Sequence, residues 1–242
     1  MNIALIFAGG TGKRMHTKGK PKQFLELNGK PILIHTVEIF ETHDQIDWIY
    51  IVCISEWIEY LSELIKRYQL KKVKLIIPGG TTGQESIRKG IYAIKDNENI
   101  DLKEITVLIH DGVRPLIDHE TITKNIESVE KYGSAITVAP ANETIIETNE
   151  LNYIENVLDR DICRVARAPQ SFKFNDIYEV HKKALQEGKD TMIDSAMLMK
   201  YYGFNLHCIN GPIENIKITT PSDFYIFRAI LESRENSQIW GL

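Results

Sequence analysis

The chain has 242 residues, 43% hydrophobic and 26% charged, with a formal net charge of -4 at pH 7. That is ordinary for a globular protein with a sizeable core. A mildly acidic chain is not built for non-specific attachment to nucleic acid or anionic membrane, so a polyanionic ligand has to meet a local basic site.

No apolar run approaches the ~20 residues needed to span a bilayer. Met1–Ala8 is a short apolar stretch without a basic leader, so no targeting segment is expected. Cys53, Cys163 and Cys208 are odd in number and far apart. They fit reduced thiols in a cytoplasmic protein better than a disulfide framework or a metal site.

Asn2–Ala8 (N-I-A-L-I-F-A) reads as a buried strand that ends in glycine. Ile32–Phe40 is apolar at helical spacing, with Pro31 suited to the first turn. Trp48–Ile54 is a second buried strand and Trp57–Tyr68 an amphipathic helix. Val73–Ile77 reads as a strand stopped by Pro78-Gly79-Gly80, and Ile87–Ile94 as a helix. Ile105–Ile109 is again a buried strand, followed by a helix over Ile122–Tyr132 and a strand over Ala135–Ala139. This alternation predicts an α/β fold with a doubly wound, mainly parallel sheet, Rossmann-like in architecture.

From about Ala139 to Ala168 the alternation fails. Thr144–Thr148 and Tyr153–Val157 read as two short strands around Asn149–Asn152, a protruding β-hairpin arm. An isolated hairpin is marginally stable, so the arm is expected to pack against another surface, such as a second subunit. Helices are expected over Asn175–Leu185, Asp194–Tyr202 and from Pro221 to about Leu231, with a strand near Leu206–Ile209. With no repeat or linker, the whole chain, 1–242, reads as a single domain carrying an arm.

Open parallel sheets bind ligands beyond the carboxyl ends of their strands. Three strand-exit loops therefore matter. The first is Ala8-Gly9-Gly10-Thr11-Gly12-Lys13-Arg14-Met15, followed by Pro21-Lys22-Gln23. Its glycines let backbone N–H groups approach phosphate oxygens, and five basic residues between Lys13 and Lys22 call for an anion or open solvent. A P-loop would need glycine where Phe7 stands and Ser or Thr at Arg14; a dinucleotide fingerprint would need glycine at Met15. Neither is met, which counts against a kinase-like ATPase and a nicotinamide dehydrogenase.

The second loop is Pro78-Gly79-Gly80-Thr81-Thr82-Gly83-Gln84-Glu85-Ser86, with hydroxyls able to read a base edge. Ser86 is equally well placed as a helix-start residue. The third is His110-Asp111-Gly112-Val113-Arg114-Pro115, where Asp111 suits a Mg²⁺ that bridges triphosphate oxygens and Arg114 supports it or binds a second phosphate. His110 reads as structural. Lys217, between Ile216 and Ile218 on an expected strand, either points into the cleft or solvates a sheet edge.

Together these residues resemble the cytidylyltransferases that make CDP-methylerythritol and their relatives that make CDP-ribitol. The landmarks are Arg14-Met15, Pro21-Lys22-Gln23-Phe24, Gly79-Gly80, Ser86, His110-Asp111, Arg114-Pro115, Asp159-Arg160, Pro169-Gln170, Asp194 and Asn215-Ile216-Lys217. The resemblance implies CMP transfer from CTP to a phosphate-bearing small molecule, with Mg²⁺ as cofactor. It assigns Ala8, Gly9, Gly10, Thr11, Gly12, Lys13 and Gly112 to the nucleotide and Gly80, Thr81 and Ser86 to cytosine. Arg14, Lys22 and Lys217 become the catalytic cations, and Asp111 the metal ligand. Asp111, Arg114, Arg160, Asp194 and Lys217 would meet the acceptor, Arg160 reaching in from the arm of a partner subunit in a homodimer.

Departures fall on the acceptor side. Gly83 stands where relatives carry arginine, and Ala168 and Ile193 stand where the methylerythritol enzymes carry hydroxyl residues. A site that loses hydroxyls loses hydrogen bonds to its acceptor. The resemblance therefore points to a polyol phosphate of the ribitol type rather than methylerythritol phosphate. A sugar-1-phosphate nucleotidylyltransferase is the more distant alternative.

Overall fold

The computed structural model describes residues 1–10, 19–97 and 102–236. In chain order the elements are β1 (Asn2–Ala8), β2 (Glu26–Leu27), β3 (Lys30–Pro31), α1 (Ile32–Glu41), β4 (Trp48–Cys53), α2 (Ile58–Arg67), β5 (Val73–Pro78) and α3 (Gly83–Lys95). There follow β6 (Thr106–Asp111), α4 (His119–Tyr132), β7 (Ser134–Pro140), β8 (Ile146–Thr148) and β9 (Ile154–Val157). The chain ends with β10 (Arg164–Lys173), α5 (Phe174–Gln186), α6 (Ser195–Tyr201), β11 (Cys208–Asn210) and α7 (Pro221–Asn236).

Seven strands form one sheet in the order β11-β7-β10-β6-β1-β4-β5. Strand β1 pairs in parallel with β4 on one side and β6 on the other. The chain thus winds outward through β4 and β5, then returns to the far side of β1. That reversal opens a crevice between the exits of β1 and β6, where ligands of such sheets bind.

The alternation of side chains along each strand supplies both faces. Ile3, Leu5, Tyr50, Val52, Val107 and Ile109 meet apolar residues of α3, α5 and α6. Their neighbours Ala4, Ile6, Ile49, Ile51 and Leu108 meet those of α1, α2 and α4. A smaller cluster of Val113, Leu116, Ile218 and Phe227 packs α7 beside the exit of β6.

The expected strands and helices from Asn2 to Ala139 are present within a few residues. One strand of the main sheet was not expected. Arg164–Lys173 forms β10, antiparallel to both β6 and β7 and central in the sheet. The region 139–168 read as an arm therefore ends inside the main sheet. Its sequence hides this, because Pro169 argues against a central strand. The structure accommodates the proline in a bulge. Ala166 pairs with Val138 and Gln170 with Ile136, so four residues of β10 pass two of β7.

A buried polar network secures this strand. Asn125 on α4 donates to the Thr137 hydroxyl at 2.9 Å and accepts from the Ser171 hydroxyl at 2.8 Å. The expected hairpin is present as β8 and β9, paired only with each other. Its turn is held by Asn149, whose side-chain oxygen accepts from the backbone N–H groups of Leu151 and Tyr153. Removing the amide in Asn125→Ala is expected to cost about 1–3 kcal/mol for each hydroxyl left unpaired. The urea midpoint should fall with an unchanged slope, whereas an unmoved midpoint would show that β10 does not depend on this network.

Candidate active site

Two adjoining cavities open at the carboxyl edge of the sheet. They share Phe7, Gly83, Asp111 and Lys217. The larger, about 520 Å³, is walled by Ala8, Gly9, Gly10, Lys22, Gln23, Gly80, Thr81, Ser86 and Val113. The absence of side chains is structural here. A Cβ on Gly9 would stand 2.9 Å from the Ser86 hydroxyl, so the first two loops can touch only through glycine.

Ser86 ties the second loop together. Its hydroxyl donates to the Thr82 carbonyl at 2.9 Å and accepts the Gly80 N–H at 3.0 Å. It does not start the helix. Thr82 is the N-cap of α3, its hydroxyl accepting the Glu85 N–H at 3.0 Å. The Glu85 carboxylate accepts the N–H and hydroxyl of Thr81 at 2.7 and 2.8 Å. Those bonds, the backbone one first, hold its pKa down at about 2.

Lys22 opens a short turn, Lys22–Phe24, that Pro21 caps. Its ammonium donates to the Ile218 carbonyl at 2.9 Å, and Gln23 donates to the Ala8 carbonyl at 2.6 Å. These bonds dock the turn against the end of β1 and the segment at Ile218. Thr11, Gly12, Lys13 and Arg14 lie outside the described residues.

Between the cavities sits Asp111, the last residue of β6 and 6% exposed. One carboxylate oxygen meets Lys217 Nζ at 2.6 Å and the other Arg114 Nε at 2.7 Å. Burial would raise its pKa, but the charges of Lys217 and Arg114 overcome that and hold it at about 2. Each oxygen keeps a further lone pair for a metal. Among the described residues no group of three or more His, Cys, Asp or Glu side chains could hold a metal alone. Among the described residues, an ion at Asp111 would take its remaining ligands from phosphate and water, as Mg²⁺ does.

Lys217 reaches Asp111 from a segment without regular structure, not from the expected strand. Several long-range bonds place it. Ile218 N–H donates to the Val113 carbonyl at 2.9 Å, Arg114 to the Asn215 carbonyl at 2.8 Å, and Asn215 to the Ala168 carbonyl at 2.6 Å. The ammonium also lies 5.8 Å from the centre of the Phe7 ring.

The second cavity, about 300 Å³, is lined by Arg114, Arg167, Gln170, His181, Ile193 and Asp194 among others. Asp194 is already engaged. It caps α6 by accepting the Met197 N–H at 2.8 Å and accepts the Gln170 side-chain amide at 3.0 Å. Among the described residues, Arg167, in the β10 bulge, finds no partner for its buried Nε, and His181 finds none for either ring nitrogen. Neither residue stands out in the sequence, because a lone Arg in a strand or His on a helix carries no local signal.

Among the described residues, Gly112 and Arg160 are not on these walls, Arg160 having been expected to reach in from a partner subunit. Gly112 faces Leu33 and Ala8, where a Cβ would sit 2.8 and 3.0 Å from their side chains. The missing side chain lets β6 pack closely against β1 and α1, and Gly112 is not among the residues that line either cavity. Arg160 is exposed near the arm, donates to the Asn142 carbonyl at 3.3 Å, and lines a separate surface hollow with Asp161 and Arg164. His110 is fully buried and bonds the Arg114 carbonyl region through Nε2 at 3.2 Å. Burial lowers its pKa to about 4.

The depressed pKa of Asp111 gives a signed expectation. The stability from this group is complete above its usual value of 3.8 and is lost as pH falls toward about 2. Asp111→Asn should lower stability at neutral pH by about 3–5 kcal/mol, since it strands buried Arg114. The loss should shrink in denaturant titrations carried out toward the acid end of that window. A pH-independent loss would place the stabilisation elsewhere than in the ion pairs.

Residues 2–233 match the family model described as IspD: 2-C-methyl-D-erythritol 4-phosphate cytidylyltransferase. A ribitol-5-phosphate cytidylyltransferase of Streptococcus agalactiae is 50% identical over 242 residues, covering all of both chains. A 2-C-methyl-D-erythritol 4-phosphate cytidylyltransferase of Clostridium tetani is 37% identical over 97% of this chain and 92% of its own. In structure, the 4-diphosphocytidyl-2C-methyl-D-erythritol synthase of Anaerococcus prevotii superposes with a TM-score of 0.81 at 25% identity, over 96% of each chain. The chain belongs to the 2-C-methyl-D-erythritol 4-phosphate cytidylyltransferase family of nucleotidyltransferase enzymes.

Proposed function

We propose that this enzyme transfers CMP from CTP to ribitol 5-phosphate or a similar polyol phosphate, releasing pyrophosphate and a CDP-polyol. The observation that carries the reading is the pair of adjoining cavities joined at Asp111 and Lys217: one walled by glycine, the other by cations. The full-length 50% match to a ribitol-5-phosphate cytidylyltransferase supports the acceptor class over methylerythritol phosphate, whose namesake relative stands at 37%.

In this reading CTP lies along the glycine-walled cavity and the acceptor in the other. An acceptor phosphate oxygen attacks the α-phosphorus. The new P–O bond forms as the bond to pyrophosphate breaks, with the leaving group opposite. An ionised phosphate needs no general base, so catalysis is alignment and charge stabilisation. Lys22 and Lys217 stabilise charge around the α-phosphate, and Arg14 is assigned the same task. Asp111 would hold Mg²⁺, which supplies charge neutralisation on the triphosphate. A cytoplasmic location belongs to the same reading, since all three cysteines are free.

We also propose a homodimer through the arm. Leu151, Tyr153, Ile154, Val157 and Ile162 are 59–80% exposed, a cluster of apolar side chains that a partner would cover. In that dimer Arg160 meets the acceptor of the neighbouring subunit.

Lys22→Ala and Lys217→Ala are each expected to reduce turnover about 10²–10³-fold in a pyrophosphate-release assay with CTP and Mg²⁺. Near-normal turnover in both would sink the mechanism, and reaction with methylerythritol phosphate alone would overturn the acceptor. Tyr153→Glu with Ile162→Glu should yield a monomer in sedimentation, with activity reduced for want of the partner's arm. A dimer that survives both substitutions would refute that interface.

A further inference from the structure

The second cavity holds two polar groups that the mechanism above does not use. Among the described residues, the Nε of half-buried Arg167 and both ring nitrogens of buried His181 find no partner, and enclosed polar atoms left unpaired are costly. Arg167 stands in the bulge where β10 slips against β7, a feature that re-aims side chains beside active sites. Its guanidinium is permanently charged. Its surroundings oppose that charge: burial first, then the neighbouring cation Arg114. The carboxylates lining the same cavity are already taken, Asp111 by Lys217 and Arg114, and Asp194 by the α6 cap and Gln170. An arginine in this position lacks an anion.

His181, on α5, is 1% exposed and lines the same cavity with Ile87 and Leu198. Burial, reinforced by Arg88, keeps its ring neutral down to about pH 3. A neutral imidazole offers one donor and one acceptor, which suits a hydroxyl rather than a phosphate. The nearby amides are not alternatives. Gln84 is bonded to the Lys189 carbonyl and the Met192 N–H, and Gln170 to Asp194 and the Ala196 N–H.

We propose that Arg167 and His181 are the acceptor-reading pair of this enzyme, Arg167 binding the acceptor's phosphate and His181 a hydroxyl of its carbon chain. The assignment rests on the polyol-phosphate reading above and deepens it. It places the phosphate beside Arg114, on the side of the cavity that Asp111 shares with the nucleotide. It also gives a physical source of selectivity. An acceptor that presents a methyl to His181 leaves both ring nitrogens unpaired, and sites built to bond a hydroxyl reject analogues that lack it.

The test is steady-state kinetics with ribitol 5-phosphate and with 2-C-methyl-D-erythritol 4-phosphate, alongside calorimetric binding of CTP. Arg167→Gln is expected to raise the KM for ribitol 5-phosphate by about 10- to 100-fold, the scale of a charge-assisted hydrogen bond. CTP affinity should stay within about twofold, and Arg167→Lys should recover part of the loss. His181→Phe should lower kcat/KM for ribitol 5-phosphate while sparing the methyl-branched acceptor, so that their ratio moves by about tenfold or more. Should that variant not fold, singly deoxygenated ribitol 5-phosphates with the unaltered enzyme give the same readout: one of them should lose about tenfold. An unchanged KM in Arg167→Gln, or equal use of every deoxygenated acceptor, overturns the pair. Absence of turnover with any polyol phosphate in the unaltered enzyme overturns the reading beneath it instead.

Discussion

The ion pairs of Asp111 hold this site together. A single carboxylate at the end of β6 binds Lys217 through one oxygen and Arg114 through the other, at 2.6 and 2.7 Å. Those bonds join the crevice between β1 and β6 to a segment more than 100 positions later in the chain. Arg114 extends the link to the Asn215 backbone, and Asn215 extends it to the Ala168 carbonyl in β10. The acid is kept ionised by two cations against the cost of burial. Its charge therefore acts as a fixed part of the site rather than as a titrating one.

The rest of the crevice divides by chemistry. On the nucleotide side, glycines let the first two loops meet, and the polar side chains there are spent on holding the loops: Ser86 on Thr82 and Gly80, Glu85 on Thr81. On the other side, most polar groups are also engaged, but Arg167 Nε and the His181 ring nitrogens find no partner among the described residues. Buried donors without partners are costly, and the proposed acceptor would complete them. Arg167 and His181 are such groups, both on the wall of the smaller cavity.

Phosphate chemistry suits this arrangement. An ionised acceptor supplies its own nucleophile, so the protein needs positioned positive charge and close backbone approach rather than an acid–base pair. The buried histidines agree with that division. His110 and His181 are both held neutral by burial, with pKa values lowered to about 4 and about 3. Neither is tuned for proton transfer near neutral pH.

The amino-acid sequence by itself determined the alternating elements from Asn2 to Ala139, the three strand-exit loops, and the residues at their tips: Gly9, Gly10, Lys22, Gly80, Ser86, Asp111 and Arg114. These are legible because apolar periodicity and glycine turns are local signals, and a strand's end is where such loops must lie. Only the tertiary structure decided the rest. Strand β10 is central despite Pro169, because a bulge absorbs the proline and Asn125 bonds Ser171 from α4. Thr82 rather than Ser86 caps α3, and Gly112 packs closely against Leu33 and Ala8, where a Cβ would crowd them. Lys217 gains its position from Val113, Arg114 and Ala168, and Arg167 and His181 gain theirs from the bulge and the packing of α5. Each of these depends on partners far away in the chain, and a sequence pattern read over a few residues contains no record of them.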